Sequence, residues 1–289
     1  MRKTMMTGLL VAGMLGSAFA QDFRGKAVYE SKTYVDMDLQ GTDIPEQDRK
    51  RMLERMKQDL EKTFILDFTR TTSLYQEEEQ LGQPIAERGG MRMAVFTGPG
   101  GEGIYYKDVK NLTYCNQVEV FGKIFRIKDS LPDLQWKLDN ETRKIGEYTC
   151  YKATAIRKVS RPGFSVKPGK GNKREKTADS GKEPVGAEDK KIVITAWYTP
   201  EIPVNQGPGE YWGLPGLILG VDTERTSILC SKIILNSQDK EEIEAPKKGK
   251  EVSRAEFDEI MHKKMEEMRE MHRREGRNRD GGRVFRIGG

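Results

Sequence analysis

Between Phe23 and Asn236 apolar residues recur at every second position, in short runs bounded by turn residues. That period places successive side chains on opposite faces of a strand and does not suit a helix. Phe64, Leu66 and Phe68 alternate with Ile65 and Asp67, and Met91, Met93 and Val95 with Arg92 and Ala94. Further runs occupy 104–109, 112–117, 118–127, 147–158, 192–198, 217–222 and 226–235. Roughly ten strands without interleaved helices predict an all-β, mainly antiparallel fold. Strand twist accumulates across so wide a sheet, so it is expected to curl into an open or half-closed barrel with its apolar face inside.

One amphipathic helix is expected between the first two strands, at 46–62. Pro45 suits its entry, and Met52, Leu53, Met56 and Leu60 form one apolar stripe. The stripe either docks on the sheet or serves as a Met-lined lid over a ligand cavity. From 160 to 190 Gly, Pro, Lys, Glu and Ser displace apolar residues, which reads as a disordered insertion between two strands. A charged tail follows at 241–289; in it Ser253 and Glu256 spell a capping box that opens a helix reaching about residue 274.

The first twenty residues read as a cleavable signal peptide. Arg2 and Lys3 precede an apolar run from Leu9 to Leu15, and Ala18-Phe19-Ala20 ends at Gln21. The run is far shorter than the roughly 20 apolar residues a transmembrane span needs, and no later stretch approaches that length. The mature β domain is therefore placed at 21–240, exported to the periplasm, the outer membrane or the outside. A net charge of +5 spread among alternating signs gives no footprint for nucleic acid. Cys115, Cys150 and Cys230 all lie in strand-like runs. They are either small buried hydrophobes or supply one disulfide, and the sequence does not choose a pair.

Catalytic constellations fail. The two histidines, His262 and His272, sit in the tail, so none is available to the β domain as a base. Gly98 to Gly103 formally spells a dinucleotide fingerprint, but it precedes strand-like Ile104-Tyr105-Tyr106, which makes it a hairpin loop. Carboxylates are plentiful, yet no spacing singles out a pair. The sequence leans away from an enzyme and leaves the matter undecided.

Two segments stand out. Ala196 to Leu219 carries prolines at 200, 203, 208 and 215 and two of the three tryptophans, so a stiff aromatic loop is expected to lead into an apolar strand. Leu214-Pro215-Gly216-Leu217 has the signature of a type II turn, with Pro second and a positive-φ Gly third. This segment is either a packing corner or a contact surface in which Trp197, Tyr198, Tyr211, Trp212, Leu214 and Pro215 meet an apolar ligand or a protein partner. In the tail, Met261, His262, Met265, Met268, Met271 and His272 combine His-x-x-Met and Met-x-x-Met spacings. Thioether and imidazole are soft ligands that suit Cu(I); the alternative is a Met stripe packed on the sheet.

The hexapeptide Gly213 to Ile218 resembles the signature of the GLPGLI family, secreted Bacteroidetes proteins also described as a Porphyromonas gingivalis-type domain. Glu147-Tyr148-Thr149-Cys150-Tyr151-Lys152-Ala153 is similar to that family's second motif, and the helix and the strand 64–68 follow its layout. The resemblance spans about 23–236. It implies an exported, β-rich protein and no particular reaction. The expectation is an exported, non-catalytic binding or accessory protein of the cell envelope, engaging an apolar ligand or an outer-membrane partner. The alternative is a periplasmic protein that handles copper through its tail.

Overall fold

The computed structural model describes residues 23–34, 45–48, 50, 51, 54, 60–78, 103–159, 190–236 and 242–280. The predicted signal peptide, the strand at 91–95, the insertion at 160–189 and the helix residues Met52, Leu53 and Met56 lie outside the described residues. The described strands are β1 (Arg24–Thr33), β2 (Glu61–Thr69), β3 (Thr72–Glu77), β4 (Ile104–Asp108), β5 (Thr113–Val120), β6 (Lys123–Ser130), β7 (Lys137–Ile145), β8 (Tyr148–Val159), β9 (Lys190–Thr199), β10 (Leu217–Asp222), β11 (Thr226–Leu235) and β12 (Lys250–Val252). A helix, Arg254–Asp280, follows. The fold is all-β, as the alternation predicts.

All twelve strands form one sheet in the order β12-β6-β5-β4-β3-β2-β1-β11-β10-β9-β8-β7. Two antiparallel meanders meet where β1 pairs with β11, and the one parallel pairing is β12 on β6. Connectivity enforces curvature. Ten steps separate β6 from β7 in that order, about 48 Å if the sheet were flat at roughly 4.8 Å per step. The connector is residues 131–136, and seven Cα steps reach at most about 25 Å. The sheet must bend to bring its two ends within that reach, yet no ladder joins them. It is a barrel left open.

Inward alternation builds the core. Ala27, Tyr29, Phe64, Leu66, Phe68, Tyr75, Tyr105, Tyr114, Phe125 and Ile127 join one buried cluster. A smaller one holds Ala153, Ile194, Ala196, Tyr198, Leu214, Ile218 and Val221. Burial of each large side chain contributes about 2 kcal/mol. Trp197 belongs to the first cluster and Tyr198 to the second, so the end of β9, from Ala196 to Thr199, is buried on both faces, and β10 likewise has buried residues from Leu217 to Val221.

Several boundaries differ from the sequence reading. The break predicted between 117 and 118 falls at Phe121-Gly122, where φ values of 53° and 70° make a two-residue hairpin that pairs Val120 with Lys123. The helix expected at 46–62 is helical at 46–48, 50, 51, 54 and 60, but Glu61 and Lys62 already pair with β1. Strands β3, β7 and β12 were not foreseen. β7 has the sequence Lys-Leu-Asp-Asn-Glu-Thr-Arg-Lys-Ile and is nearly all exposed, the composition of a protected edge. The capping box forms in full: Ser253 N–H donates to Glu256 Oε2 at 2.7 Å, and Glu256 N–H to Ser253 Oγ at 3.2 Å. No helix among the described residues is long and apolar enough to cross a membrane.

All three cysteines are buried free thiols, the packing alternative of the sequence reading. Burial pushes Cys150 up to about 11 and Cys230 up to about 12, and raises Cys115. The folded protein is expected to leave all three unmodified by a thiol reagent at pH 8, and the unfolded chain to titrate three. Rapid labelling of the native protein, counted by mass, would contradict this packing.

Candidate functional site

The seventeen-residue stretch 200–216, between β9 and β10, runs through the hollow of the sheet. Ile202, Val204, Gln206, Gly207, Pro208, Gly209, Glu210 and Leu214 are buried, whereas Pro200, Pro203, Asn205, Gly213 and Pro215 face outward. A buried loop carries polar groups that need partners; the first meander supplies them to its backbone, and both meanders supply them to its side chains. Lys107 of β4, fully buried, donates from Nζ to the carbonyls of Gly207 (2.5 Å), Gly209 (2.7 Å) and Tyr211 (3.1 Å). Tyr29 of β1 donates its hydroxyl to Ile218 O at 2.8 Å, and Ser73 of β3 donates to Gln206 Oε1 at 2.8 Å. On the far side Arg157 of β8 pairs with Glu210.

Burial pulls the Lys107 ammonium down to about 7, and Glu210 acts the other way. The three carbonyls decide in favour of charge. A neutral amine has two N–H groups and would turn its lone pair on the third oxygen, whereas an ammonium satisfies all three. Glu210 is held above the usual carboxylate range because its burial outweighs the pull of Arg157. Two cations and one carboxylate thus share the hollow, with Tyr105 stacked on Tyr114 at 5.2 Å beside them.

The corner itself departs from the expected turn. Gly216 N–H donates to Leu214 O, two residues back, so the chain makes a γ-turn on Pro215 and not a type II turn. Val204 N–H reaches Ile202 O in the same way around Pro203. Positive φ falls on Gly213 (91°), not on Gly216. Gly216 is required for another reason: a Cβ there would lie 2.1 Å from Thr199 O. Outside the hollow the corner is stitched to the connector that spans the barrel opening. Trp212 Nε1 donates to Pro132 O at 2.9 Å and Trp136 Nε1 to Trp212 O at 2.8 Å.

The predicted contact residues therefore divide. Tyr211, Trp212, Leu214 and Pro215 come together at the corner, with Leu214 buried and Pro215 exposed. Trp197 lies under the Arg143 guanidinium, 4.2 Å from its ring, while Tyr198 points to the opposite face beside Tyr151. In the tail, Phe257 and Met261 are buried in the main core and Ile260 and Met265 pack against it, as the Met-stripe alternative expects. His262 is exposed with Nδ1 3.8 Å from Glu266, Met268 is half-buried, Met271 is exposed, and the side chain of His272 is outside the described residues. Lys107, Glu210, Arg157, Gln206 and Ser73 were not singled out from sequence.

Comparison with known proteins finds a family model that matches the corner and its surroundings. Residues 136–220 match the model of a family described as "Protein of unknown function (Porph_ging)", in line with the resemblance read from the corner motif. The match runs from the connector through β7, β8, β9 and the corner into β10, and stops short of Tyr29, Ser73 and Lys107. No curated protein matches. Two solved structures, titled "Structure of PNGF-II in C2 space group" and "Structure of PNGF-II in P21 space group", are similar at 13% identity with TM-scores of 0.43 and 0.42, covering 83% and 82% of this chain. This chain spans about a third of theirs, 33% and 32%.

Lys107→Met should leave three buried carbonyls without a donor and destabilise the protein by about 3 kcal/mol or more. Gly216→Ala should cost at least as much through the clash at Thr199. Urea unfolding of both variants checks this, and a loss under about 1 kcal/mol for Lys107→Met would mean that the clamp is dispensable.

Proposed function

We propose that this chain is an exported, non-catalytic accessory protein of the bacterial cell envelope, which presents its proline-stiffened corner to an envelope or outer-membrane partner. The observation that carries the reading is the fixation of the corner from two sides. Lys107 and Tyr29 hold it from within the sheet, and the Trp136 and Trp212 indoles tie it to the connector. What remains outside is a ridge of Pro203, Asn205, Gly213 and Pro215 beside half-buried Trp212. A surface already held in one conformation loses little entropy on association, the condition for a selective contact. The hollow is taken up by the protein's own loop, which favours a protein partner over an apolar ligand as what this chain engages. Export is supported by the order of charge, apolar run and small residues in the first twenty positions.

The test is co-purification from the native envelope after cross-linking, comparing the wild type with Asn205→Arg and Pro215→Glu. Both substitutions add charge to outward positions. The expected result is loss of one specific partner, with recovery down about tenfold or more, as for a desolvated contact worth over about 1.4 kcal/mol, while the melting temperature stays within about 3 °C. Equal recovery with both variants would overturn the reading.

A further inference from the structure

Two strands run on past their neighbours. β10 pairs with β9 only as far as Thr195, and β7 with β8 only as far as Thr154, but the β8–β9 ladder continues from Ala155 opposite Ile194 to Val159 opposite Lys190. Over that stretch the sheet is a two-stranded ribbon, and no third strand among the described residues lies along either of its edges. Its inner face is seated: Ala155 and Ile194 are buried, and Arg157 pairs with Glu210 of the loop. Its outer face is bare. Ile156 is 66% exposed and Val193 52%, and they stand directly opposite each other. Beside them exposed Lys158 stands opposite exposed Lys191, and neither forms an ion pair with a described residue. Like charges placed so are unfavourable. Elsewhere in the sheet Lys26 stands opposite Asp67 at 3.5 Å, and Lys32 opposite Glu61 at 3.8 Å.

We propose that the β9 edge at 190–194 is a docking site for an extended acidic segment of another protein, which adds to the sheet as a strand beside β9. A strand edge without a neighbour offers backbone N–H and C=O groups at every second residue, and an added strand satisfies them. Register then dictates the ligand. The incoming residue opposite Val193 shares a face with Val193 and Ile156 and is apolar; the one opposite Lys191, two places away, is acidic and relieves the facing lysines. A second copy of the ribbon does not fit, because its own edge carries lysines at the same places, a charge that guards against self-pairing. The inner face, seated on the loop, holds the ribbon in one conformation, so little entropy is lost when a strand adds. β7, the terminal edge, offers no such selectivity, since charges of both signs are mixed along it. None of these residues belongs to the corner ridge, so loss of one contact leaves the other intact.

The experiment is fluorescence anisotropy of the full chain with a labelled, end-blocked peptide, Thr-Glu-Thr-Val-Thr-Glu-Thr. Two control peptides carry lysine in place of glutamate, or methylated backbone nitrogens that cannot donate to an edge. The acidic peptide should bind with saturation, and both controls at least about tenfold more weakly. Lys158→Glu combined with Lys191→Glu should reverse the preference between the acidic and lysine peptides. Lys191→Glu alone meets Lys158 across the ribbon, so it should raise the melting temperature while it weakens the acidic peptide, a split that a lysine with a purely structural role would not show. Equal binding of the methylated peptide, an unchanged preference in the double variant, or no saturation by about 1 mM would overturn the site. Binding to phosphatidylglycerol vesicles with none to the peptide would assign the lysines to a lipid surface and overturn it as well.

Discussion

One ammonium group organises the interior. Lys107 Nζ holds three carbonyls of a loop that enters from the opposite half of the sheet, and it does so where no water reaches. A long loop buried in a barrel would ordinarily cost too much in unpaired backbone, and a charged donor with three N–H groups is the most compact remedy. The remaining bonds follow from that seating. With the loop in place, Leu217 N–H meets Ile202 O and Ile218 N–H meets Gln206 O, so β10 begins already fastened to the loop that delivers it.

The fold was legible because period-two alternation depends only on which face of a strand is dry. It identified the alternating set on β2, the runs that form β4, β9, β10 and β11, and the curvature of the sheet. β7 escaped because an exposed edge has no inner face to pattern, and its charges look like a loop. β12 escaped because three residues added in parallel to an edge carry too little sequence to show a period. The buried charges were partly legible in hindsight. Lys107 is two residues from Tyr105 on the same face of β4, Ser73 two from Tyr75 on β3, and Arg157 two from Ala155 on β8. Parity alone put them inside. What sequence could not supply was the acceptor for each, because those acceptors are carbonyls and carboxylates of a loop about a hundred residues away for Lys107.

The corner motif shows how a recognisable signature can be right in its residues and wrong in its turn. Pro215 fixes φ and Gly216 is obligatory, as expected, yet the bond closes over two residues and the glycine is there for lack of room against Thr199 O. Trp197 and Tyr198, adjacent in sequence, separate onto the two faces of β9, so only part of the aromatic set stays at the corner. The family match covers β7 through the corner into β10, while Tyr29, Ser73 and Lys107 lie outside it. This chain therefore joins a recognisable corner to a fastening supplied by the other meander.

The most direct test is amide hydrogen exchange of the native protein, read residue by residue. If the loop is seated in the sheet as described, the amides of Val204, Gly213, Leu217 and Ile218 should exchange only through global opening, with protection matching β1 and β2. Exchange of these four amides orders of magnitude faster than the strands, in a protein otherwise folded, would show that the loop leaves the hollow on its own and that the clamp does not hold it.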